Sequence, residues 1–289
     1  MSEKQIDELS GVETTGHSWD GISELNNPLP RWWLWTFYAT IVWALGYTIL
    51  YPSWPGLTGN VEGLLGWSSR GELASELTEA QAAKSVYLEK IAVTPVADIL
   101  GDAELSRFAT AGGAAAFKIN CTPCHGSGAA GGSGYPNLND DEWVWGGSID
   151  EIYTTITHGI RSTDDESTHL SEMPAFADIL STEEVRQVSA FVYSLSGGTP
   201  SDAAMVEPGE TVFADNCASC HGEDARGLKD FGAPNLTDAI WLRAEGTEAG
   251  IAAQVARPTH GVMPAWGVRL GDTTVKELAV FVHSLGGGQ

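Results

Sequence analysis

The longest apolar run lies near the start of the chain. Trp32 to Tyr51 reads WWLWTFYATIVWALGYTILY, twenty residues without a charge. At about 1.5 Å per helical residue it reaches across a hydrocarbon core of about 30 Å. Trp and Tyr crowd both ends, as an interfacial belt requires, with Pro30 before the run and Pro52 after it. A retained transmembrane helix is expected over 32–51. A cleaved signal peptide fits less well, since the run is too long for one and no convincing small-x-small site follows. Residues 1–31 are polar and acidic, with no apolar periodicity until their end, which predicts a mostly disordered tail. Residues 52–70 are rich in Gly, Ser and Trp and read as a loop at the membrane surface. Over 72–91, Leu73, Leu77, Ala80, Val86, Leu88 and Ile91 recur amid charges, an approximately amphipathic helix expected to pack on a following domain or a partner. Residues 52–104 are therefore a linker.

From about residue 105 the pattern repeats itself. The copies span 105–198 and 199–289, and their first cysteines are 217 − 121 = 96 residues apart. Each opens on a helix with Gly-x-x-x-Phe (Gly113 and Phe117; Gly209 and Phe213). Each then has Cys-x-x-Cys-His, Pro-Asn-Leu from Pro136 or Pro234, a Trp (Trp143; Trp241) and Thr-His-Gly (His158; His260). Met-Pro-Ala-aromatic follows from Met173 and Met263. Matching helices close the copies: Val185, Val188, Phe191 and Leu195 against Val275, Leu278, Phe281 and Leu285. Gly in the first helix lets the last helix cross closely. Phe117 is thus expected against the Phe191 helix, and Phe213 against the Phe281 helix. Residues 161–172 have no counterpart in the second copy. This acidic insertion, with Asp164, Asp165 and Glu166, reads as a solvated loop rather than a docking surface; no role is expected for its His169, nor for His17 or His283.

Length and charge change this picture little. At 289 residues the chain holds two or three domains on length alone. A formal charge of −23 argues against nucleic acid. It serves solubility and permits steering of a basic partner. Lys4 and Arg31 lie before the apolar run and Arg70 well after it, too few to orient it.

The chemistry lies in the cysteines. All four sit in CTPCH (Cys121, Cys124, His125) and CASCH (Cys217, Cys220, His221). This spacing is the attachment signature of c-type haem: two thiols bond to the porphyrin vinyl groups, and the adjacent His supplies an axial nitrogen. A thiol redox pair or a shared zinc site are the lesser readings. Two covalently bound haem c groups are expected, which by analogy with bacterial c-type cytochromes places these domains outside the cytoplasm. Met173 and Met263 are the candidate distal ligands, because a soft neutral thioether favours Fe(II). Met1 and Met205 lie outside the repeats. His158 and His260 remain alternative ligands, although the His-to-Met gap is fifteen residues in one copy and three in the other.

Each repeat resembles a class I cytochrome c domain: N-terminal helix, haem phrase, Met loop, C-terminal helix. The fold class is then mainly α, one N-terminal transmembrane helix followed by two tandem class I cytochrome c domains. The resemblance implies that Pro136 and Pro234 aim carbonyls at the proximal imidazoles. Trp143 and Trp241 either face a haem propionate or fill core. His158 and His260 then fall at helix ends or beside propionates.

Across nearly its whole length the chain resembles the dihaem subunit III (FixP/CcoP) family of cbb3-type cytochrome c oxidase. The run DGISELNNPLPRWW, the anchor ending TILYPSW, and GLLGWSS beyond it carry that resemblance. It implies a single-pass subunit of the bacterial inner membrane, with the N-terminus cytoplasmic and the haem domains periplasmic. Electrons would come from a soluble or membrane-bound donor cytochrome c and pass through both haems to a monohaem subunit. The haem–copper catalytic subunit then reduces oxygen to water and pumps protons. With both irons six-coordinate, the chain has no catalytic site of its own. Two rival readings are an anchored dihaem carrier serving a dehydrogenase or cytochrome bc complex, and a dihaem peroxidase.

Overall fold

A computed structural model describes residues 5–57 and 59–287; Lys4 lies outside them. Its contacts divide the chain into a unit up to Ala83 and another from Lys84.

In the first unit, β1 (Thr14–Trp19) pairs antiparallel with β2 (Ile22–Leu25), with a bulge between Thr14 and Ser18. This corrects the expected disordered tail. Asp20 and Gly21 form a two-residue turn with φ of +48° and +82°, the left-handed geometry that makes Asp-Gly a strong hairpin signal. α1 (Arg31–Leu50) is long and apolar enough to cross a membrane, and none of its side chains is buried within the chain. The loop behind it folds back on its last turn. Leu64 and Leu65 N–H donate to the Ile49 and Leu50 carbonyls at 3.0 and 3.1 Å, satisfying groups that a helix end leaves open. α2 (Ser69–Val93) begins before the expected helix and ends after it. Leu73, Leu77 and Val86 on it are exposed; only Ile91 is buried.

The second unit continues with α3 (Val96–Ile99), α4 (Ala103–Asn120), α5 (Thr122–His125), α6 (Ile149–His158), α7 (Thr182–Leu195) and α8 (Val206–Asn216). It ends with α9 (Ala218–His221), α10 (Glu248–Ala256), α11 (Gly267–Leu270) and α12 (Asp272–His283). Local sequence sets several starts. Asp102 caps α4, and Ser148 with Glu151 and Ser181 with Glu184 form capping boxes on α6 and α7.

The helices pair across the repeats. α4 packs on α12, and α7 on α8. Phe117 meets Phe281 at 5.3 Å between ring centroids, and Phe191 meets Phe213 at 5.4 Å. The expected pairing within each repeat is therefore corrected. The glycines permit the crossings: a Cβ on Gly113 would lie 2.1 Å from the Glu277 carbonyl oxygen, and one on Gly209 would lie 2.1 Å from that of Gln187. Two cores result. One joins α3, α4, α6 and α12 around Leu105, Phe117, Ile152 and Leu278. The other joins α7, α8 and α10 around Val188, Phe213 and Ile251. Lys276 on α12 reaches the Ile91 and Ala92 carbonyls at the end of α2, at 3.3 and 3.0 Å, and pairs with Asp272 at 3.0 Å.

Candidate functional site

Each Cys-x-x-Cys-His phrase is one helical turn joined to the helix before it. Cys121 N–H donates to the Phe117 carbonyl at 2.8 Å, and Cys217 N–H to that of Phe213 at 2.8 Å. Gly126 and Gly222, at φ +79° and +80°, end the two turns. The chain then returns under the histidine. Gly131 N–H donates to the His125 carbonyl at 2.9 Å, and Gly227 N–H to the His221 carbonyl at 2.7 Å. No side chain fits at either glycine, since a Cβ would come within 2.4 Å of the Tyr135 carbonyl or 2.2 Å of the Ala233 carbonyl.

This return places a proline carbonyl on each imidazole. His125 Nδ1 donates to the Pro136 carbonyl at 3.1 Å, and His221 Nδ1 to the Pro234 carbonyl at 3.2 Å. The acceptor holds the proton on Nδ1, so Nε2 keeps its lone pair for a metal. Burial holds both imidazoles below the ordinary histidine range, with the proline carbonyls acting in the opposite sense. Burial also pushes the Cys121 and Cys217 thiols up to about 11. Among the described residues no three His, Cys, Asp or Glu side chains converge as a metal site.

The methionines cross over with the helices. Met263 packs on the core that holds Phe117 and Cys121, and Met173 on the core of Phe213 and Cys217. Each Met therefore shares a core with the Cys-x-x-Cys-His phrase of the other repeat. Ile160, just beyond α6, exchanges two backbone hydrogen bonds with Met263, both 2.9 Å. Trp266 N–H donates to the Ile156 carbonyl at 3.0 Å, and Ala265 N–H to Ser162 Oγ at 3.2 Å.

The remaining expected residues fall as follows. Trp143 packs on the first core and its indole N–H donates to the Gly287 carbonyl; Trp241 packs on the second core. His158 ends α6, with Nδ1 2.9 Å from Asp165 Oδ2, and His260 lies between α10 and Met263. Asp164 and Glu166 of the insertion 161–172 are exposed, but other residues of it are anchored. Ser162 and Thr168 are buried, Asp164 pairs with Arg269 at 3.0 Å, and His169 stacks on Trp145 at 4.2 Å. Arg161 escaped the sequence reading altogether, although it stands where the second repeat already has Met263. Its side chain bonds the Gly261 and Ser171 carbonyls.

The family described as "Cytochrome C oxidase, cbb3-type, subunit III" matches residues 108–192 and 204–282. That described as "N-terminal domain of cytochrome oxidase-cbb3, FixP" matches residues 11–58. The chain is 62% identical over 288 residues to the cbb3-type cytochrome c oxidase subunit FixPc of Rhizobium leguminosarum bv. viciae, covering 100% of both. It is 59% identical over 286 residues to FixP of Rhizobium meliloti, covering 99% of this chain and 98% of the relative. Against CcoP of Cereibacter sphaeroides it is 51% identical over 278 residues, covering 96% and 95%.

The chain belongs to the FixP/CcoP family. These relatives are named as subunits of cbb3-type cytochrome c oxidase. Its cytochrome c domains imply haem c and electron transfer, and its N-terminal helix suggests a membrane anchor. The residues fit such a group: paired thiols, an adjacent imidazole with its proton fixed away from the iron side, and a thioether on the same apolar core.

Proposed function

We propose that this FixP/CcoP subunit holds two haem c groups with axial ligands exchanged between its repeats. The first is bonded to Cys121 and Cys124 and ligated by His125 and Met263. The second is bonded to Cys217 and Cys220 and ligated by His221 and Met173. The placement of each Met on the core of the other repeat's Cys-x-x-Cys-His carries this reading. Haem c supplies a one-electron iron couple there. The Pro136 and Pro234 carbonyls fix the imidazole planes and raise ligand basicity. The cores of Phe117 and Phe213 exclude water, and the uncharged thioethers favour the reduced metal. Such a chain accepts electrons from a donor cytochrome c and passes them towards a monohaem subunit. The haem–copper subunit reduces oxygen to water and pumps protons. The N-terminus is cytoplasmic and the haems lie on the periplasmic side.

The exchange is tested in a chain carrying Cys217→Ala and Cys220→Ala, which keeps only the first haem. Met263→Ala should abolish the thioether-to-iron signature of that haem and Met173→Ala should spare it; the reverse result returns each Met to its own repeat. Purification from membranes in mild detergent tests the oxidase role. Copper and b-type haem should co-elute with c-type haem, whereas c-type haem alone indicates a free-standing carrier.

A further inference from the structure

Arg161 touches both methionine loops. Its Nε donates to the Gly261 carbonyl at 2.7 Å, and its Nη1 to the Ser171 carbonyl at 2.5 Å. Gly261 stands two residues before Met263, and Ser171 stands two residues before Met173. One guanidinium thus grips the same backbone position in both loops. Its geometry suits that task, because Arg presents several N–H donors in a rigid plane while Lys offers a single freely turning head. Bonds from a cation to a carbonyl are also stronger than neutral ones.

The surroundings hold the grip in place. Ile160, the preceding residue, is bonded twice to Met263, and Arg161 N–H donates to the His169 carbonyl at 2.8 Å. Arg161 adopts φ +50°, a left-handed conformation that an L-residue keeps only where its neighbours determine it. Gly261 is pressed from another side by Arg243, whose Nη2 donates to the Gly134 carbonyl at 2.8 Å. A Cβ on Gly261 would lie 2.1 Å from that nitrogen. No second copy of the grip is available from the other repeat. After Thr259-His260-Gly261-Val262 the chain reaches Met263 at once, where the first repeat has Arg161.

We propose that Arg161 is a positioning residue for both distal methionines, coupling the two haem sites through one side chain. This rests on the reading of Met173 and Met263 as ligands. Loosening the grip should let each thioether leave its iron more readily.

The test uses the full-length chain with both haems, in detergent, as wild type, Arg161→Leu and Arg161→Lys. Proton NMR of the reduced protein counts methionines held on iron, and carbon monoxide binding to reduced c-type haem reports how readily they leave. Wild type should show two bound methionines and little carbon monoxide uptake. Arg161→Leu should raise carbon monoxide affinity by about fivefold or more at both haems, as loss of one hydrogen bond from each methionine loop implies. Arg161→Lys keeps the charge without the planar fork and should also weaken both sites. If Arg161→Leu does not fold, Arg161→Lys alone decides. A response at one haem only, no response, or full rescue by Lys overturns the proposal. Fewer than two bound methionines in wild type instead refutes the ligand assignment on which it rests.

Discussion

The cross-repeat pairing makes a sharp energetic prediction. Phe117 is 3% exposed, and its ring lies 5.3 Å from that of Phe281 at an interplanar angle of 56°. A tilted aromatic pair at this distance adds about 0.5–1.5 kcal/mol beyond the area it buries. Phe191 belongs to the other core, against Phe213. In a double-mutant cycle, Phe117→Leu and Phe281→Leu should therefore be coupled by about 0.5–1.5 kcal/mol, roughly a 2- to 12-fold change in the unfolding constant. Phe117→Leu and Phe191→Leu should add within about 0.3–0.5 kcal/mol. The cycle on Phe213 should mirror this, coupling to Phe191 and not to Phe281. Guanidinium unfolding of the detergent-solubilised chain, followed by haem absorption, supplies all of the stabilities. Coupling of Phe117 to Phe191 with none to Phe281 would refute the exchange and restore self-contained repeats.

Three further outcomes follow from particular contacts. Gly113→Ala and Gly209→Ala each place a Cβ 2.1 Å from a carbonyl oxygen, so each should cost about 1–3 kcal/mol or more as the helices part; thermal unfolding measures it, and wild-type stability would show that the crossing is looser. Glu277 is 7% exposed, and burial raises its carboxyl to about 7. The folded state then holds a proton that the unfolded chain releases above the ordinary glutamate range, so stability falls as pH rises from about 4.5 to about 7. Glu277→Gln should match wild type at pH 4 and exceed it at pH 8 by on the order of 2–3 kcal/mol; equal stability at both pH values would place the carboxylate in water. Trp143→Phe removes the indole bond to the Gly287 carbonyl and should cost about 0.5–1.5 kcal/mol without moving either haem potential. A shifted potential would return Trp143 to the propionate side.

Residues that act locally were legible in the sequence. The apolar run at 32–51 and the two Cys-x-x-Cys-His phrases each state their surroundings within a few residues, while the Pro136 and Pro234 carbonyls, 11 and 13 residues from their histidines, were reached only through the family resemblance. The partner of each crossing helix was not legible, because the two copies are nearly interchangeable. Phe191 on α7 and Phe281 on α12 sit at the same place in equivalent apolar patterns, and Gly113 and Gly209 accept either. Periodicity says that a helix packs, not on which copy. The hairpin at Asp20-Gly21 was hidden among polar residues because its signal is backbone conformation rather than hydropathy. Arg161 was hidden because it binds backbone carbonyls, and no side-chain motif marks those partners.

Chain connectivity does not oppose the exchange. Closing α7 on α8 spans the ten residues 196–205, and closing α4 on α12 spans the 151 residues 121–271. Pairing within each repeat would instead close intervals of 61 residues, 121–181, and 55 residues, 217–271. Loop closure costs about (3/2)RT times the logarithm of length, so the exchanged arrangement is favoured by only about 0.7 kcal/mol. That is no larger than the coupling one aromatic pair can supply, about 0.5–1.5 kcal/mol. Polymer entropy therefore leaves the choice nearly open, and side-chain contacts decide it. Those contacts are unevenly shared: the Met263 loop is bonded to Ile156, Ile160 and Ser162 of the first repeat, and Arg161 adds the Met173 loop to the same anchor. The insertion that begins at Arg161 breaks the equivalence of two otherwise similar repeats. It gives the exchanged arrangement a set of bonds that the second repeat, passing directly from Thr259-His260-Gly261-Val262 to Met263, has no residues to reproduce.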